Sequence, residues 1–143
     1  MKLITRDTDY AVRALCCIAY QKNRILAVRE LARSLDVPRP FLRKLLQRLT
    51  QEGIVRSYKG WRGGFILACA PQRIRLVDVM KIFQGGIKIN ECLSQRKVCS
   101  KIACCPLHET LGQIERDVIT RLKGLNIMSL AHAFAHAGFY GGK

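Results

Sequence analysis

The forty residues LAVRELARSLDVPRPFLRKLLQRLTQEGIVRSYKGWRGGF, positions 26–65, constrain the fold more than any other part of this chain. Val28, Leu31, Ala32 and Leu35 recur at helical spacing and predict a short amphipathic helix. Asp36–Pro38 then turns the chain. A second helix is expected from Arg39 to Glu52, with Leu42, Leu45, Leu46 and Leu49 as its apolar stripe. Gly53 stands where a helix end commonly takes a left-handed residue. Ile54–Tyr58 and Gly64–Cys69 look like strands around the turn Lys59–Gly63, which predicts a β-hairpin. Helix, turn, helix and basic hairpin in that order make a winged helix-turn-helix, so the expected fold is mainly α with a small β-hairpin wing.

The polar face of the second helix says what it contacts. Arg39, Arg43 and Gln47 align at i, i+4 and i+8, with Pro40, Lys44 and Arg48 on the same helix and no acid before Glu52. A solvated surface helix usually mixes signs to gain i,i+4 pairs, and this one does not. Arg and Gln also suit base edges in a major groove. On the hairpin, Lys59, Trp61 and Arg62, with Arg56, are the residues expected to meet DNA. The net charge of +15 supports a polyanionic partner. Residues 1–75 carry 16 basic and 5 acidic side chains, a net of +11, so most of the excess lies in the half holding these motifs.

Before this stretch, TDYAVRALCCIAYQ reads as a helix with Thr8 as its cap, and Cys16 and Cys17 inside it are expected to be small buried hydrophobes. Cys69 is expected to be the same within its strand. His132 and His136 stand four apart in MSLAHAFAHAGF, a terminal helix expected to pack rather than to bind metal. No apolar run is long enough for a bilayer, and Asp7, Asp9 and Arg13 interrupt any signal-peptide core. A cytoplasmic protein without membrane partners is the expectation. No nucleophile–base constellation or phosphate loop appears, which argues against an enzyme.

Residues 91–111, ECLSQRKVCSKIACCPLHETL, hold four of the seven cysteines and one of the three histidines among lysines and serines. That is poor core material. Clustered thiols in a reducing compartment are more often metal-binding or catalytic than paired, and an odd total argues against a full disulfide framework. A zinc site is a rival, although the usual CxxC pair is missing, and a metal-free thiol switch is another. Beyond the segment, Leu107, Leu111, Ile114, Val118 and Leu122, with Ile119 alongside, form one apolar seam of a long helix, which suits packing against a second copy.

The segments DYAVRAL, LARSLDVPRPFLRKLLQRLTQEGIVRSYKGWRGGF and LVDVMKIFQGG, together with the cysteine segment, resemble the Rrf-type family of winged-helix regulators. That family includes iron–sulfur biogenesis regulators, nitric-oxide sensors and cysteine-metabolism regulators that hold no cluster. The resemblance implies a homodimer on a roughly palindromic DNA operator. It further implies an iron–sulfur cluster, with [2Fe–2S] preferred to [4Fe–4S], held by Cys92, Cys99, Cys105 and His108. Cys104 rivals Cys105 as the third ligand, and Asp9 rivals His108 as the fourth. Domain boundaries are expected at 1–84 for the winged helix, 85–106 for the cluster segment and 107–143 for the dimerisation and C-terminal helices. The function implied is transcription regulation by a cluster that senses iron, nitric oxide or redox state. The alternative is a cluster- or zinc-carrying redox or biogenesis protein with a basic surface.

Overall fold

The structure is a computed structural model that describes residues 2–89 and 99–140. Helix α1 (Arg6–Tyr20) is followed by α2 (Val28–Leu35) and α3 (Arg39–Gln51). A hairpin comes next, with β1 (Val55–Tyr58) antiparallel to β2 (Gly64–Leu67). Helices α4 (Leu76–Gln84), α5 (Pro106–Lys123) and α6 (Ile127–His136) complete the described elements. The result is the winged helix expected from the sequence.

Helix α1 is the centre of the core. Ala11, Ala14, Leu15 and Cys16 are fully buried, and Ile18 nearly so. The leucine stripe of α3 faces it, with Leu42, Leu46 and Leu49 inaccessible to solvent. Burial of each such leucine contributes roughly 1.5–3 kcal/mol over an exposed one. Helix α2 adds Leu31, Ala32 and Leu35 from its predicted face, and Asp36 ends it in the left-handed conformation. Gly53 does the same just beyond α3, at φ +73°.

The hairpin is joined to the helices through its backbone. Leu26 donates to the Phe65 carbonyl at 3.0 Å and accepts from the Phe65 N–H at 2.8 Å, which extends the sheet beside β2. A Cβ on Gly64 would overlap the Leu26 carbonyl, so this close approach requires glycine. The start of α2 is thereby held against the base of the wing.

Three local readings are corrected. The cap of α1 is Thr5, whose hydroxyl accepts from the Thr8 N–H; Thr8 is buried in the first turn. The Thr8 hydroxyl donates to Gln84 Oε1 at 2.8 Å, so it serves a tertiary contact instead of a cap. The strands are shorter than Ile54–Tyr58 and Gly64–Cys69, because the chain leaves the ladder after Leu67 and enters a 3₁₀ turn at Pro71–Arg73. Cys69 therefore lies outside the strand and is exposed. Cys16 and Cys17 are buried as expected.

Helix α6 packs on α1 through Ile127 and Ala131. Asn126 caps it by accepting from Ser129 N–H at 2.9 Å, and the Ile127 N–H donates to Ile74 O at 2.9 Å. His132 and His136 are exposed on its outer face. Helix α5 differs: of its eighteen residues only Gly112 is buried. Leu107 and Ile114 of its apolar seam are 64% and 44% exposed. Among the described residues no helix is long and apolar enough to cross a membrane.

Candidate nucleic-acid interface and metal-ligating residues

Between α3 and the wing lies a groove of about 780 Å³. Arg39, Arg43 and Gln47 line it from α3, and Lys59 lines it from the hairpin tip. The leucine stripe packs inward, which turns these polar positions out together. Pro40 sits in the first turn of α3, where a missing N–H costs nothing. Lys44 and Arg48 are exposed on α3 outside the groove lining, and the Arg48 guanidinium lies 5.7 Å from the Phe83 ring centre. Trp61 and Arg62 stand at the wing tip, with the Arg62 guanidinium 4.6 Å from the Trp61 ring centre.

Sequence reasoning missed Arg29. It lines the groove from α2, together with Tyr58 and Ser57 of β1. Its signal in the sequence was weak because Glu30 stands beside it. In the structure, Glu30 turns to Ala27 N–H at 3.1 Å and to Arg24 at 2.7 Å, which leaves Arg29 facing the groove. The ion pairs among the described residues are Arg13–Asp9 and Arg24–Glu30. Among the described residues no carboxylate pairs with a groove cation, so the face presents positive charge to solvent.

The second candidate site lies at the start of α5. Cys104, Cys105 and His108 line a hollow of about 440 Å³ with Glu109 and Arg116. Cys105 is the N-cap residue of α5 and is half-buried; the α5 helix dipole favours an anionic group there. Cys104 is exposed, and its thiol donates to Lys101 O at 3.4 Å. Nδ1 of His108 is buried and has no hydrogen-bond partner among the described residues. Cys99 is exposed and does not line the hollow. Cys92 lies outside the described residues. The described residues include no cluster of three Cys, His, Asp or Glu side chains close enough to hold a metal ion. Asp9 is engaged by Arg13 at 3.0 Å on α1. An orphaned imidazole nitrogen beside a thiol at a helix N-terminus is a donor set that fits a thiolate-ligated iron group.

Residues 4–133 match the Rrf2 family, described as "Iron-dependent Transcriptional regulator". The chain belongs to the Rrf2 family. A candidate helix-turn-helix-type transcriptional regulator of Aquifex aeolicus is 35% identical over 131 residues, 90% of this chain and 91% of that one. The regulator NsrR of Bacillus subtilis is 30% identical over 115 residues, 79% of this chain and 78% of its own. Among solved structures, CymR, the global cysteine regulator of B. subtilis, superposes with a TM-score of 0.77 at 20% identity. It covers 93% of this chain and 98% of the CymR chain. Rrf2 proteins are transcriptional regulators rather than enzymes.

The buried cysteines of this Rrf2 chain stand apart from the exposed ones. Burial pushes the Cys16 thiol from its ordinary 9.0 up to about 12, and burial also raises Cys17. Above pH 9 the unfolded thiols lose protons that the folded ones keep, so folding stability must fall as pH rises from 9 towards 12. Chemical denaturation at pH 8 and pH 10 is expected to show this loss, and Cys16→Ala to reduce it. An unchanged pH dependence in Cys16→Ala would contradict the assignment.

Proposed function

We propose that this Rrf2 protein is a DNA-binding transcriptional regulator whose operator affinity is set by an iron–sulfur cluster held in its cysteine segment. The observation that carries the DNA reading is the unneutralised groove formed by Arg39, Arg43 and Gln47 of α3 and Lys59 of the wing. Helix α3 enters the major groove, where Arg43 and Gln47 read base edges, and Lys59 grips phosphate. Arg29 adds a backbone contact from α2. The cluster reading is supported by the family's iron dependence and by the Cys105–His108 hollow with its orphaned nitrogen. Cys92, Cys99, Cys105 and His108 would hold the cluster. When bound, it supplies a redox-active centre whose potential a nitrogen ligand raises.

The functional unit is a homodimer. Its support is the seam of α5, where Leu107 and Ile114 lie open on a helix whose one fully buried residue is Gly112. A two-fold pair of α3 helices would then meet two half-sites. The N-terminal segment to residue 84 forms the DNA-binding unit, 85–106 the cluster segment, and the α5 seam within 107–143 the subunit contact.

Arg43→Ala is expected to cost roughly 1–3 kcal/mol on the preferred duplex and to relax preference at one base position. Lys59→Ala should weaken all sequences about equally and lower the salt dependence by about one counterion. Quantitative gel shifts across a duplex series check both, and unaltered affinity in both variants would refute the groove as the DNA site.

Ile114→Asp would bury a charge at the subunit contact, a cost of several kcal/mol. Sedimentation should report monomers, and a persistent dimer would move the interface off the α5 seam.

Single alanine substitutions at Cys92, Cys99 and Cys105 are expected to abolish visible absorption and bound iron in anaerobically purified protein. Cys104→Ala should retain both. Loss at Cys104 with retention at Cys105 would shift the third ligand by one residue, and a colourless wild type with one bound zinc would refute the cluster.

A further inference from the structure

Helix α6 carries two of the chain's three histidines, and neither is used by the core. Ile127 and Ala131 are the residues that pack this helix on α1. His132 and His136 stand exposed and four residues apart. That spacing puts the two rings on one face, one turn apart, with Cβ atoms about 5–6 Å from each other. Ring nitrogens so placed can meet a single metal ion, as they do where a zinc-binding helix presents histidines at i and i+4. Packing engages the apolar face of α6 and leaves both imidazoles in solvent, where the nitrogen lone pairs are free for a ligand bond.

The local charge suits a cation in a chain that elsewhere repels one. The protein has 25 lysines and arginines, yet none falls between Lys123 and Lys143, and no carboxylate does either. Arg13 of α1 comes near this end of the chain through the Phe139 ring, 5.3 Å from its guanidinium, and it is paired with Asp9 at 3.0 Å. His136 is the last residue of α6, so an ion bound there lies at the negative end of the helix dipole.

We propose that His132 and His136 form a two-imidazole site for a late first-row divalent ion, with water completing its shell. The site lies on a different helix from Cys105 and His108 and is independent of both the cluster and the DNA readings. Imidazole suits nickel, copper and zinc, and two nitrogens with open positions suit the tetragonal preference of nickel and copper. Copper binds tightest in the usual order. Once one ring holds the ion, the second is already tethered beside it, so the second bond needs no further encounter. The bound ion bridges the last turn of the helix that closes the core over α1, and it stabilises the folded chain by mass action.

Ni²⁺ is the probe, because copper oxidises thiols and Cys69, Cys99 and Cys104 are exposed. The untagged full-length chain, purified anaerobically, is titrated by calorimetry. His132→Ala and His136→Ala should each weaken nickel binding at this site by roughly a hundredfold. The double variant His136→Ala with Ala137→His keeps three histidines but swings one ring off the shared face, and it should bind as weakly as the single variants. Nickel should raise the melting temperature of the wild type and leave that of all three variants unmoved. In proton spectra, substoichiometric Ni²⁺ should broaden two of the three sets of imidazole signals, the two that vanish singly in His132→Ala and His136→Ala. Nickel affinity alike in the wild type and the variants would overturn the proposal. Broadening of the His108 signals alone, or a wild type that takes up no nickel, would overturn it as well.

Discussion

The structure depends on the burial of α1. Its inward face is small at the points of closest approach, with Ala11, Ala14 and Cys16 wholly covered, so helices from both ends of the chain pack against it. Helix α3 leans on it from one side, and its leucine stripe fixes which residues point outward. Helices α4 and α6 cover other faces of it, drawing residues 76–84 and 127–136 into one core with the winged helix. The recognition face is therefore a consequence of how α1 is packed.

One side chain ties this core to the segment that leads towards the cysteines. Gln84 accepts from Thr5 N–H at 3.0 Å and from the Thr8 hydroxyl at 2.8 Å. Its amide donates to Leu3 O at 3.0 Å and Gly86 O at 3.2 Å. A little further on, Ile89 N–H donates to Glu115 on α5 at 2.9 Å. Displacement of residues 85–89 breaks the Gln84–Gly86 bond, and only a shift of Gln84 itself would remove the Gln84 partner of the buried Thr8 hydroxyl, at roughly 1–3 kcal/mol. Such a cost is of the size that regulatory coupling between two sites commonly takes. The Gln84 joint thus ties the start of α1 to the end of α4, and Ile89 ties the chain just beyond it to α5.

Much of this was legible in the residue pattern, and the misses have physical causes. The α2 and α3 stripes are local, and periodicity alone places Leu31, Ala32, Leu35, Leu42, Leu45, Leu46 and Leu49 in the core. The choice between Thr5 and Thr8 as cap is not local. Both precede acidic residues, and Gln84, some eighty residues away, claims the Thr8 hydroxyl. Cys69 continues the apolar run of β2, yet the strand ends at Leu67 and Cys69 is exposed beyond it. Arg29 lines the groove from α2, whose start is held beside the wing by the Leu26–Phe65 bridge, a contact between segments distant in sequence. Cys104 and Cys105 are indistinguishable by composition. The helix start distinguishes them, leaving Cys105 half-buried at the α5 N-cap and Cys104 exposed.

If the cysteine segment holds the cluster, DNA affinity should depend on whether iron is bound there. The direct measurement is a pair of binding isotherms on one preferred duplex at fixed salt. One uses anaerobically purified protein with its iron and sulfide content assayed, and the other uses the same preparation after chelation. The two affinities should differ by about fivefold to 150-fold, the range of ordinary site-to-site coupling. Gln84→Ala should shrink that difference while leaving iron content unchanged. Identical isotherms with and without iron would contradict it.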